Sequence, residues 1–205
     1  MKKILLIALM ASLSLFSCKS MLVKSYGIKD PEFESKEAIT EYLIKKDMDT
    51  TNVMVFKDLT SYVTAIKRGM KIPNAMFFNS SGNFVNYQKT PEDCNAKVSG
   101  FIGDIKAIDS LTEDISFNVF KMTDFLVKPN GDKIEIEKGY DAYVLINWAL
   151  YAGKLNEEKA FDWVNLLKQN EKDFKVKYYL LNCDFQDMWG LTDEQKKEIG
   201  FTVKG

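Results

Sequence analysis

The sequence contains no histidine. Catalytic sites of the Ser-His-Asp and Cys-His kinds, and zinc sites built on imidazole, are therefore excluded. Arginine is almost absent as well: Arg68 stands alone among 28 basic residues, which face 29 acidic ones for a net charge of −1. Without guanidinium groups for bidentate phosphate contacts, and without a sustained basic field, nucleic acid is excluded as a partner. Glycine (11 residues) and proline (4) are scarce, which rules out collagen-like and low-complexity sequence. What remains is 205 residues with 46% hydrophobic and 13% aromatic side chains, enough for one folded domain or two small ones. The three cysteines, Cys18, Cys94 and Cys183, form no CxxC pair.

Residues 1–18, MKKILLIALMASLSLFSC, have two lysines, an apolar run and a small residue before a cysteine, the organisation of a secretory signal. The run is too short to span a membrane comfortably, which takes about 20 residues. Its end, Leu15-Phe16-Ser17-Cys18, resembles the lipobox of bacterial lipoproteins. The resemblance implies a signal peptide over 1–17, cleavage before Cys18, and an acyl lipid such as palmitate on Cys18 holding the protein to a membrane. A plain signal peptide that happens to abut a cysteine is the alternative. Lys19, rather than an aspartate, follows Cys18, and within that class this implies an outer-membrane destination facing the periplasm. Loss of Lys2 and Lys3 leaves the mature chain at about −3. A strand expected from near Leu22 makes the tether short. In an oxidising compartment Cys94 and Cys183 are either a disulfide or two buried thiols.

The mature chain divides around a polar connection. Before it, Ala38, Ile39, Tyr42 and Leu43 lie at helical spacing, and Val53 to Phe56 read as a strand. Tyr62, Val63 and Ile66 offer a second helical face that ends at Gly69, and Ala75 to Phe78 with Phe84 to Tyr87 form a hairpin around Gly82. Thr90-Pro91 opens a helix running to about Ile105. After the connection, Phe117 to Val127 and the alternating Lys133 to Glu137 suggest a second hairpin about Asn130-Gly131. Tyr140 to Trp148 is nearly continuous apolar sequence, as in a strand covered on both faces. Asn156 is expected to cap a helix with Ala160, Phe161, Val164 and Leu167 inside; Lys175 to Cys183 follow as a strand and Thr192 to Ile199 as a short capped helix. Strands alternating with helices, with hairpins attached, indicate an α/β three-layer α/β/α sandwich around a mixed sheet.

Two stretches resemble the thioredoxin-like redoxins, the family of membrane-anchored thiol-disulfide oxidoreductases. Phe117 to Asp184, with Val144-Leu145-Ile146-Asn147-Trp148-Ala149 and Leu181-Asn182-Cys183-Asp184, is similar to that family's N-terminal half. Tyr26 to Ile105, with Lys71-Ile72-Pro73-Asn74-Ala75-Met76-Phe77-Phe78 before a hairpin, is similar to its C-terminal half, where Pro73 matches the family's cis-proline. The halves stand in reversed order: 18–105, a connection at 106–116, and 117–205. A circularly permuted single domain is the favoured arrangement, since each half lacks what the other supplies. Two incomplete domains in tandem, and a dimer exchanging halves instead of a monomer, are the alternatives.

In the family a cysteine pair sits at the first turn after the central strand. Here the matching stretch is Tyr151-Ala152-Gly153-Lys154-Leu155, with Ala152 and Leu155 where the sulfurs would be, so dithiol exchange is unavailable. Lys154 as a base of depressed pKa is weighed against, and outweighed by, a solvated lysine. Tyr143, Trp148, Tyr151 and Trp163 are read as core before groove. The acids and amides around Asp184 and Asp187 lack a calcium-loop pattern. No cofactor or metal is expected. The resemblance implies a redox-inactive domain that binds an extended polypeptide or another envelope partner beside Tyr151, Ala152, Gly153, Ile72 and Pro73. The competing expectation is an enzyme, a monothiol redoxin or thiol peroxidase using Cys183 or Cys94.

Overall fold

The computed structural model describes residues 23–88, 97–170 and 174–201. The signal peptide expected over 1–17, Cys18, Cys94 and the helix start expected at Thr90-Pro91 lie outside those residues. Where a strand was expected near Leu22, residues 23–26 are helical and continue, after a turn at Gly27, into a segment without regular structure.

That segment ends in β1 (Phe33–Glu34) and leads to α1 (Lys36–Lys45). The Ser35 hydroxyl accepts from the Ala38 amide at 3.2 Å, satisfying one of the free donors of the first turn. The helix buries Ile39 and Leu43 and leaves Ile44 65% exposed. β2 (Val53–Phe56) is buried throughout. In α2 (Leu59–Lys67), capped by Asp58, the expected apolar face is rotated. Tyr62 is buried with Leu59 and Ala65 packed beside it, whereas Val63 and Ile66 face outward. Both sets satisfy helical spacing; the crossing of the helix over the sheet selects the first.

β3 (Asn74–Asn79) and β4 (Asn83–Val85) form the expected hairpin, followed by α3 (Val98–Gly103) and a 3-10 helix, Ile105–Ser110. β5 (Glu113–Asn118), a 3-10 turn (Val119–Asp124) and β6 (Leu126–Val127) come next. The strand expected over Lys133 to Glu137 is not formed: one bridge joins Lys133 to Val127. Its alternation is nevertheless used, since Ile134 is buried and Ile136 packs against the same cluster, but β6 is only two residues long and gives it no ladder to extend.

β7 (Ala142–Trp148) is buried at every position. It leads through a 3-10 turn (Leu150–Ala152) and a π-helical turn (Asn156–Phe161) into α4 (Asp162–Asn170), then β8 (Val176–Asn182), β9 (Phe185–Gln186) and α5 (Asp193–Glu198). α5 starts with a reciprocal capping box between Thr192 and Gln195.

Seven strands make one mixed sheet in the order β5-β4-β3-β7-β8-β2-β6, and β1 pairs with β9 separately. β7, β8 and β2 run parallel, and β3 is antiparallel to β7 with Ala75 opposite Ile146 and Phe78 opposite Tyr143. Strands from both halves of the chain thus interleave in one sheet. Alternate β7 residues separate the two cores. Val144, Ile146 and Trp148 join α1, α3 and α4 on one face; Tyr143 and Leu145 join Tyr62 of α2 and the 119–136 segment on the other.

The two sides of α1 provide a direct check. Leu43→Ala should cost about 2–5 kcal/mol in urea unfolding, as for other buried leucines, whereas Ile44→Ala should stay within about 0.5 kcal/mol.

Candidate functional site

The C-terminal ends of β7 and β8 gather the polar groups of an otherwise apolar sheet. Asn156, expected as a solvent-facing helix cap, is instead fully buried. Its Nδ2 donates to the Ala149 carbonyl at 2.7 Å and to the Tyr42 hydroxyl at 3.1 Å, and its Oδ1 accepts from the Ala149 amide at 3.4 Å. One amide side chain therefore holds the residue at which β7 ends, in place of a neighbouring strand.

Asp184 does the same for the next residue. Its Oδ2 accepts from the Leu150 amide at 2.7 Å and from Asn182 Nδ2 at 2.6 Å, while Gln186 Nε2 donates to Asn182 Oδ1 and to the Asp184 carbonyl, both at 2.8 Å. Asn182, Asp184 and Gln186 are all buried. Burial pushes the Asp184 carboxyl up to about 6, against the opposing pull of its hydrogen bonds.

Between them lies Cys183, whose amide donates to the Trp148 carbonyl at 2.8 Å. The side chain is fully buried, and its Sγ lies 3.4 Å from the Leu181 carbonyl. Burial first, and the Asp184 charge second, raise the thiol well above its ordinary value. The thiol is placed as a buried core residue. Tyr62, beside it, is likewise pushed up to about 12 by burial.

The segment leading into β3 also meets the end of β7. The Ile72–Pro73 peptide is cis, Asn74 lies opposite Asn147, and Asn147 Nδ2 donates to the Lys71 carbonyl at 3.1 Å. Ala152 and Pro73 are buried, Ile72, Tyr151, Gly153 and Leu155 are half-buried, and Lys154 is exposed. Lys154 thus lies in solvent.

The N-terminal segment crosses the same turn. The Lys29 amide donates to the Tyr151 carbonyl at 2.9 Å. Gly153, at φ 57° and ψ −131°, has the Tyr26 and Gly27 carbonyl groups so close that a Cβ would overlap them. β1 then pairs in parallel with β9, Phe33 opposite Phe185 and Glu34 opposite Gln186, and the Phe33 ring meets those of Phe185 and Phe201. Glu34 is raised to about 7 by burial, then by Asp184, Glu32 and Asp187.

Among the described residues no group of three acids or cysteines is placed to hold a metal, and no helix is long and apolar enough to cross a membrane. A depression of about 330 Å³ lined by Asn52, Tyr140, Lys175, Val176, Lys177 and Tyr178 lies at the opposite end of β7 and β8. It brings together none of the residues above. Comparison with protein-family models, curated proteins and solved structures gives no match.

Sequence reasoning missed Asn156, Glu34 and the N-terminal crossing, and set Asp184 aside with the calcium pattern. The available signal was the cluster Asn182, Asp184 and Gln186 directly after an apolar strand, where buried amides and acids must find partners.

Two substitutions test this geometry. Gly153→Ala should cost about 1–3 kcal/mol, because both its backbone angles and its neighbours demand glycine, with hydrogen exchange rising first at Lys29. Asp184 holds its proton more tightly when folded, so its contribution is full below about pH 4 and is lost as pH rises through about 6. Wild-type stability relative to Asp184→Asn should accordingly fall by about 2 kcal/mol between pH 4 and pH 7 in urea titrations.

Proposed function

We propose that the protein is a lipid-anchored envelope protein whose redox-inactive, circularly permuted thioredoxin-like domain binds an extended polypeptide at the C-terminal end of its sheet. The anchor is a lipid on Cys18 after removal of residues 1–17, and the location is the periplasmic side of the outer membrane; both rest on the lipobox-like sequence. The thioredoxin-like reading is supported by strand order. β7, β8 and β2 run parallel, with β3 antiparallel to β7 and β4 beyond it, which is the arrangement the resemblance implies for halves joined in reversed order.

The polypeptide reading is carried by one observation. Residues 28–34 of the chain cross this end, with the Lys29 amide donating to the Tyr151 carbonyl and β1 laddered to β9. Backbone groups at the end of the sheet are therefore disposed to pair with a peptide, a mode that takes affinity from main-chain bonds and selectivity from side-chain pockets. Ala152 and Leu155 supply no sulfur, and the buried, acid-weakened Cys183 supplies no thiolate, so binding rather than dithiol transfer is the chemistry left to the site.

Two measurements bear on this. Native protein should leave Cys183 unlabelled by iodoacetamide up to about pH 8.5, near the free-thiol value, and label it on denaturation; rapid native labelling of Cys183 would favour the thiol enzyme. Fluorescence anisotropy with reduced, carboxymethylated polypeptides as probes should show saturable binding to the full chain at pH 8. Ile72→Glu should weaken it about tenfold or more, as expected for a contact inside the site; unchanged binding would remove the site from this end of the sheet.

A further inference from the structure

The segment that crosses the candidate site carries more acid than the contact can comfortably hold. From Lys29 to Glu34 it reads Lys-Asp-Pro-Glu-Phe-Glu, and the loop beneath it, Asn182 to Met188, contributes Asp184 and Asp187. The register sets Glu34 opposite Gln186, between those two aspartates in sequence. The groups facing Glu34 are Asp184 and Asp187 from the β8–β9 end and Glu32 from its own segment, opposed by Lys29. From α5, Lys196 lies over the Phe33 ring at 4.5 Å. Around Asp184 stand Cys183, Tyr62 and Tyr151, none of which is a cation. Like charges so arranged repel, and the repulsion is strongest where water is excluded.

The attachment is slender. Among the described residues it includes the Lys29–Tyr151 hydrogen bond, the close passage of Tyr26 and Gly27 over Gly153, the two-residue β1–β9 ladder, and the contacts of the Phe33 ring with Phe185, Phe201 and Lys196. A two-stranded ladder standing apart from the main sheet is marginal in water.

We propose that residues 26–34 form a proton-controlled strap, docked over the 150–153 turn and β9 in acid and released toward neutral pH, so that an incoming polypeptide takes its place. The identity of that occupant as a polypeptide rests on the function proposed above; the proton control of the strap does not. The sign follows from Glu34. Its carboxyl is raised from its ordinary 4.5 to about 7 in the docked state, so docking takes up a proton. The docked form is therefore favoured fully below about pH 4.5 and loses that advantage as pH rises through about 7. Geometry supplies the other half: the strap covers the backbone at Tyr151 and Gly153 and occupies an edge of β9.

The test is amide hydrogen exchange on the full chain, each amide normalised to its intrinsic rate at pH 5, 6, 7 and 8. Protection of Lys29 and the β1 amides should fall about tenfold or more from pH 5 to pH 8, while β7 and β8 remain protected throughout. In Glu34→Gln, which keeps the size and hydrogen-bonding capacity of the side chain, strap protection should vary with pH at most threefold. Strap protection that is independent of pH in the wild type, or that falls equally in Glu34→Gln, would overturn the proposal. Carboxymethylated polypeptide binding measured in parallel separates the two readings. A strap that opens with pH while no polypeptide binds at any pH upholds the strap and defeats the polypeptide; polypeptide binding of equal strength at pH 5 and pH 8 defeats the gating.

Discussion

Burial of β7 on both faces is the constraint from which the rest of the structure follows. From Ala142 to Trp148 no residue is more than 1% exposed, so its backbone groups have no access to water and must all be paired by protein. That demand draws β3 to one edge and β8 to the other, from opposite halves of the chain. The alternating side chains then need cover on both sides, which α1, α3 and α4 provide on one face and α2 with the 119–136 segment on the other.

The same constraint explains why polar chemistry collects where β7 ends. Once the strand stops, Ala149 and Leu150 remain buried or partly buried without a lateral strand, and the side chains of Asn156 and Asp184 take over the pairing. Those groups are desolvated by the same packing that closes the core, so the carboxyl of Asp184 and the thiol of Cys183 are both pushed toward their neutral forms. The end of the sheet thus concentrates hydrogen-bonding side chains in a desolvated setting.

Much of the fold was legible because burial leaves periodic traces. Val53 to Phe56, Ala75 to Phe78, Val144 to Trp148 and the Ala160, Phe161, Val164, Leu167 stripe all take the places their patterns suggest. What could not be read had a physical reason in each case. Nine residues of α2 carry two overlapping apolar faces, and only the crossing over the sheet chooses Tyr62 over Ile66. Lys133 to Glu137 alternates because Ile134 and Ile136 pack inward, a pattern that does not require ladder partners. Asn156 looks like a cap because amides do favour helix starts, and only the distant Tyr42 and Ala149 reveal it as buried. Of the candidate site, Pro73, Asn74 and the 151–155 turn were recognisable locally. Residues 26–34 were not, since they have no period of their own and are placed by residues more than a hundred positions away.

The strand order has a consequence for how the molecule can be made. β2 and β3 follow one another in the chain but are separated in the sheet by β7 and β8. β3 can pair with β4, and β2 with β6, before that, but only residues 142–182 join the two pairs, so the first half of the chain cannot close the sheet by itself. Long-range pairing of this kind is slow and is deferred to the end of synthesis.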